Sequence, residues 1–133
     1  MRGQEGDPWM GQITAPAVGD AIGKNAFDRP ALRQDRINRL FMKREEDLPQ
    51  SKTFNAGLDF LRRNHHEDNW FLQIETFDPH EPFYTHRSHK DRYAEHYRGY
   101  DGPLFDWPAY APVTESPEEV EHVRYEYASL LSL

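Results

Sequence analysis

The sequence predicts an α/β fold organised on one buried strand, and three observations carry that expectation. Residues 69–77, Asn-Trp-Phe-Leu-Gln-Ile-Glu-Thr-Phe, begin with a continuous apolar run, as in a strand covered on both faces. A helical pattern over residues 52–66 leads straight into that run. No second strand of comparable strength follows. A single strand cannot satisfy its own backbone groups, so the rest of the sheet is expected from other chain segments. On this reading residues 1–133 are one internal piece of a larger domain.

The elements follow in order. Residues 1–27 read as loop, punctuated by Asp7-Pro8, Gly11, Pro16, Gly19 and Gly23, with Trp9 and Phe27 needing something to pack on. Residues 30–48 read as a helix, with Asp28 as N-cap, Pro30 in the first turn and Pro49 as its stop. Leu32 opens it, and Ile37, Leu40 and Phe41 make its apolar stripe. In residues 52–66, Ser51 is the cap and Phe54, Leu58 and Leu61 recur at i, i+4, i+7. Arg62, Arg63 and His65 fall in its last turn, where the helix dipole favours cations. After the strand comes a long loop rich in aromatics and proline over 81–115, with a short helix over residues 90–97. A third helix spans 117–131, where Ser116, Pro117 and Glu119 supply N-cap, N1 and N3 of a capping box. Its expected apolar face is Val120, Val123, Tyr127 and Leu130/Leu131.

Composition excludes several classes of function. Net charge is −7, which disfavours a broad nucleic-acid interface, since each phosphate contact needs a Lys or Arg. The cluster Arg33, Arg36, Arg39, Lys43 and Arg44 reads as a solvated helix face. There is no cysteine, so disulfides, thiolate metal sites and a Cys nucleophile are absent from these residues. No apolar run approaches the roughly 20 residues of a membrane span, and Met1–Asp7 lacks the apolar stretch of a signal peptide, leaving the compartment open. Only 37% of residues are hydrophobic and mean hydropathy is −0.96, a poor endowment for a self-sufficient core.

The chemistry centres on His80. It stands just past the strand between Pro79 and Pro82, and proline stiffens the backbone on either side. In α/β sheets ligands bind beyond the carboxyl ends of strands. An imidazole there suits proton donation or contact with an anion. A turn histidine bonded to a backbone carbonyl is the plainer alternative. Asp78 and Glu81 flank it as turn-stabilising residues.

The run Phe71-Leu72-Gln73-Ile74-Glu75-Thr76-Phe77-Asp78-Pro79-His80-Glu81-Pro82-Phe83 resembles the segment of the sulfatase family in which a strand delivers a histidine to the sulfate group. Further stretches resemble the same family in the same order. They are Arg2–Trp9, Tyr100-Asp101-Gly102-Pro103, Asp106-Trp107-Pro108, Tyr110-Ala111-Pro112 and Glu118–Leu133. The resemblance implies part of a mixed-sheet sandwich of the alkaline-phosphatase superfamily, arylsulfatase-like, with three helices and one buried strand here. It implies hydrolysis of a sulfate ester, on a small molecule or a sulfated glycan, through a formylglycine nucleophile and a calcium or other divalent ion. His80 matches the histidine that contacts the sulfate and assists the leaving oxygen. No Cys-x-Pro-x-Arg or Ser-x-Pro-x-Arg motif and no metal ligands are recognisable in these residues, so the nucleophile and ligands are expected in the remainder of the domain, and this chain alone is expected to be inactive.

Two other readings stand beside it. A phosphodiesterase or phosphonate hydrolase of the same superfamily shares the fold. A non-catalytic binding module could use His86, His89 and His96 to hold zinc or nickel, or use the aromatic loop. Within that loop Tyr84, Tyr100, Trp107 and Tyr110 either line a substrate entrance or simply cover structure. His65 and His66 are expected to face solvent.

Overall fold

The computed structural model describes residues 30–96 and 100–133, with side chains from Gln34 onward. Its regular elements are helix α1 (Pro30–Arg39), a 3-10 turn (Glu45–Asp47), helix α2 (Pro49–Asn64), the one-turn helix α3 (Arg87–Lys90) continued by a 3-10 turn (Asp91–Tyr93), and helix α4 (Pro117–Leu131). The expected loop over 1–27, the Asp28 cap, the stretch resembling sulfatases at Arg2–Trp9 and the packing of Trp9 and Phe27 lie outside the described residues. So does the end of the helix expected over 90–97.

The α/β expectation is overturned. Among the described residues there is no strand and no sheet. Residues 70–77 form no regular element, and no described strand pairs with their backbone. A strand exists only by exchanging N–H and C=O bonds with a neighbour, which apolar sequence alone cannot supply. The segment keeps a two-residue alternation of burial instead. Leu72, Ile74 and Thr76 are half-buried, while Phe71, Gln73, Glu75 and Phe77 are exposed. Its inner side rests on α2 at Gly57, where a Cβ would overlap Ile74 Cδ1. Glycine is what permits that approach.

The helices also differ from expectation. The span 30–48 is not one helix: α1 ends at Arg39, and Asp47 Oδ2 accepts from the backbone N–H of Lys43 (3.1 Å) and Arg44 (2.9 Å) to shape a separate turn. Pro49 does not stop a helix but begins α2, in the first turn where its missing N–H costs nothing. The N-cap is Leu48, not Ser51. The capping box of α4 forms as the sequence indicates, with Glu119 N–H donating to Ser116 Oγ (3.2 Å) and Ser116 N–H to Glu119 Oε2 (3.0 Å).

The buried faces are not the apolar stripes. On α2, Phe54 and Leu58 are 45% and 42% exposed while Gly57 is buried. On α4 the buried residues are His122, Glu126, Ser129 and Leu130, and Tyr127 is exposed. On α1, every residue from Gln34 to Arg39 is buried. Buried apolar side chains among the described residues are few: Ile37, Met42, Leu48, Phe105 and Leu130. Around them the segments are tied by polar groups. His86 Nε2 donates to the Met42 carbonyl (3.0 Å), and Lys90 Nζ donates to Glu126 Oε2 (2.6 Å). His89 Nδ1 donates to the Ser132 carbonyl (3.1 Å), and the Tyr93 hydroxyl meets Ser132 Oγ (2.9 Å). These bonds fix α3 against α4. No helix of the described residues is long and apolar enough to cross a membrane.

Candidate functional site

His80 sits on a tight turn. Its backbone N–H donates to the Phe77 carbonyl (3.0 Å), and the Asp78–Pro79 and Glu81–Pro82 peptides are both cis. The turn is anchored on its Glu81 side. Glu81 and Pro82 are buried, and Phe83 N–H donates to the Asp106 carbonyl (2.8 Å). The Phe83 ring meets Tyr127 edge-on at 5.1 Å. Beyond that anchor, the His80 side chain is 42% exposed.

The ring is oriented by Glu81. Nδ1 lies 2.9 Å from the Glu81 carbonyl oxygen and 3.3 Å from its carboxylate Oε2. A carbonyl oxygen only accepts, so Nδ1 carries the proton and donates. Nε2 is the ring nitrogen left without that proton. The Tyr110 hydroxyl stands 3.5 Å from Nε2. Glu81 beside it raises the phenol's pKa by favouring the protonated form. Phe77 lies against the imidazole face at 4.3 Å, tilted by 36°, and is half exposed. The arrangement is a half-open histidine with a carboxylate behind it, an aromatic wall beside it and a hydroxyl in front.

The other candidate residues are placed elsewhere. His86 and His89 are engaged by backbone carbonyls of different segments, and His96 stacks on Tyr125 at 4.5 Å, so the three do not converge. Among the described residues, no group of three His, Cys, Asp or Glu side chains comes together to hold a metal ion. These residues therefore do not fit the divalent ion that the resemblance implies. His65 and His66 are exposed, as expected, with His65 Nδ1 against the Arg62 carbonyl (2.9 Å). The aromatic loop is divided in its roles. Tyr84 lies beneath the Arg39 guanidinium at 4.4 Å and Tyr100 stacks on His122 at 4.1 Å, both as packing. Trp107 is half-buried, and Tyr110 alone of the four reaches His80.

The basic cluster on α1 is the largest departure from the sequence reading. Lys43 and Arg44 are solvated, but Arg36 and Arg39 are buried. Arg36 grips Asp106 with two N–H groups, Nη1 at 2.8 Å and Nη2 closer still. Arg39 Nη1 also binds Asp106, and its Nη2 pairs with Asp35 at 2.6 Å. Burial pushes the Asp106 carboxyl up, but Arg39 and Arg36 outweigh it and hold it well below the usual range. For Asp35 burial wins over the same arginines, and its pKa rises to about 6. This brace spans 70 residues of sequence and fixes the segment whose carbonyl at Asp106 anchors the His80 turn. Nothing in the spacing of Arg36, Arg39 and Asp106 announces it. Nor does spacing bring Tyr110 to His80, thirty positions away.

No protein-family model, no curated protein and no solved structure matches the chain.

Proposed function

We propose that this chain contributes the substrate-contacting histidine of a sulfuric ester hydrolase, with His80 Nε2 facing the ester oxygen of a sulfate monoester. The observation that carries this reading is the half-exposed ring, fixed by the Glu81 carbonyl behind Nδ1. The resemblance of residues 71–83 to the sulfatase histidine segment supports it.

The chemistry assigned to His80 is proton donation. With Nδ1–H held on Glu81, a second proton on Nε2 makes the ring an imidazolium, the form that can give a proton to an oxygen. As the S–O bond breaks, the bridging oxygen leaves with the bonding pair and takes the Nε2 proton. The alcohol departs, and the oxygen that replaces it on sulfur comes from water overall. General-acid help of this kind contributes on the order of 100- to 10,000-fold. Phe77 offers its exposed face to the apolar part of the ester, as aromatics do beside aryl and sugar rings. The nucleophile and divalent ion that the resemblance implies have no counterpart in these residues, and no step is assigned to them here.

The test is hydrolysis of an aryl sulfate by the product of the complete open reading frame. The expected result is turnover that falls at least about 100-fold in His80→Ala, with the loss greatest for poor leaving groups. Turnover of phosphate diesters but not sulfate esters would transfer the reading to the phosphodiesterase branch. Equal activity of His80→Ala on all leaving groups would end the histidine's role.

A further inference from the structure

We propose that Tyr110 fills the anion position of His80 from within the chain, so that ligand binding exchanges the phenol oxygen for an oxygen of the ligand. The inference rests on the reading that His80 Nε2 receives an anionic oxygen, and adds what stands there beforehand.

Three hydrogen-bonding groups close on one another. His80 Nδ1–H donates to the Glu81 carbonyl at 2.9 Å, and the Tyr110 hydroxyl stands 3.5 Å from Nε2. The phenol oxygen thus stands in front of Nε2, in the position that a leaving oxygen would take.

The hold is weak by construction. Tyr110 is 87% exposed, so its ring is not fixed by packing. It lies in an irregular stretch, with Ala111 N–H turned back on the Ala109 carbonyl (2.9 Å). Its hydroxyl contacts alone keep it over His80. Swinging it away forfeits one long, solvent-exposed contact and little buried area, so a competing anion can displace it. By contrast Glu81 is buried and remains in place behind the ring.

The experiment is the rate of carbethoxylation of each histidine by diethyl pyrocarbonate, read by peptide mass spectrometry on wild type and Tyr110→Phe. Removing one hydroxyl leaves the exposed ring and the fold. His80 is expected to react about 3- to 10-fold faster in Tyr110→Phe, the range of one modest hydrogen bond. Exposed His65 and His66 should keep their rates and buried His122 should stay slow. An unchanged or slower His80 overturns the proposal. So does a uniform rise at all histidines, because it would show that Tyr110 acts on the whole fold. Inorganic sulfate added to either protein reads the underlying assignment separately. If Tyr110→Phe unmasks His80 but sulfate never protects it, the cap stands and the anion reading fails. If sulfate protects His80 equally in both proteins with no unmasking, the anion reading stands and the cap fails.

Discussion

Two sites in this chain set a carboxylate against nitrogen groups, to opposite ends. In the brace, Asp106 is fully buried, and two arginines from α1 close on it. At the turn, Glu81 backs a histidine that is 42% exposed and capped only by an exposed tyrosine. The brace has no room to exchange partners, and its charges serve the fold. The turn leaves its histidine half exposed, within reach of solvent. The difference lies in burial: desolvated pairs are costly to break, whereas half-exposed ones open readily. The two are connected, since the Asp106 carbonyl anchors Phe83 and with it the His80 turn.

The brace should show the largest effect. Asp106→Asn leaves two buried guanidiniums without their shared carboxylate, and the Nε of each has no acceptor among the described residues. Breaking such a pair costs about 3–5 kcal/mol. That is a large part of a domain's stability, so urea unfolding should shift to a much lower midpoint. A loss below about 1 kcal/mol would show that the pair is not buried in solution.

The next effect is a pH dependence with opposed contributors. Asp35 titrates near 6 in the folded chain against 3.8 when unfolded. The folded state therefore binds more protons between those values, and this group's contribution is present below pH 3.8 and lost as pH rises through about 6. One unit is worth 1.36 kcal/mol, so the change is about 3 kcal/mol. His122 works the other way. Burial, with the nearby Lys90 charge, lowers its pKa from 6.5 to about 4. Its contribution is present above pH 6.5 and lost as pH falls through about 4. Glu126, whose pKa burial also raises, adds to the Asp35 side. Asp35→Asn removes the Asp35 contribution, so its stability relative to wild type should improve by about 3 kcal/mol between pH 4 and pH 7. Urea titrations at both pH values check this; a constant difference would place Asp35 in a solvated setting.

The turn should show the smallest effect on folding. His80→Ala is expected to change stability by less than about 0.5 kcal/mol, because an exposed side chain with local contacts holds little together. A loss above about 1.5 kcal/mol would make His80 a structural residue and erase the contrast between the two regions.

What the sequence made legible follows the same division. The α4 cap was readable because Ser116 and Glu119 satisfy orphan N–H groups three residues apart, and such local chemistry needs no tertiary partner. The position of His80 between Pro79 and Pro82 was readable for a similar reason. The faces of α2 and α4 were not, because periodicity assumes that apolar side chains point inward. Here Phe54 and Leu58 face out, while His122, Glu126 and Ser129 are buried. The same assumption set Arg36 and Arg39 in solvent, since only a carboxylate seventy residues away explains their burial. The run 70–77 has strand-like composition, but composition does not provide the neighbour that a strand requires.

The central claim is that His80 Nε2 is an anion-facing nitrogen fixed by Glu81. It is tested most directly by following the imidazole nitrogens of the chain by NMR during a titration with inorganic sulfate at constant ionic strength. The account predicts a protonated Nδ1 throughout and a saturable shift of His80 Nε2, with His65 and His66 unmoved. An Nε2 that does not respond, or that moves only in step with the exposed histidines, would contradict it.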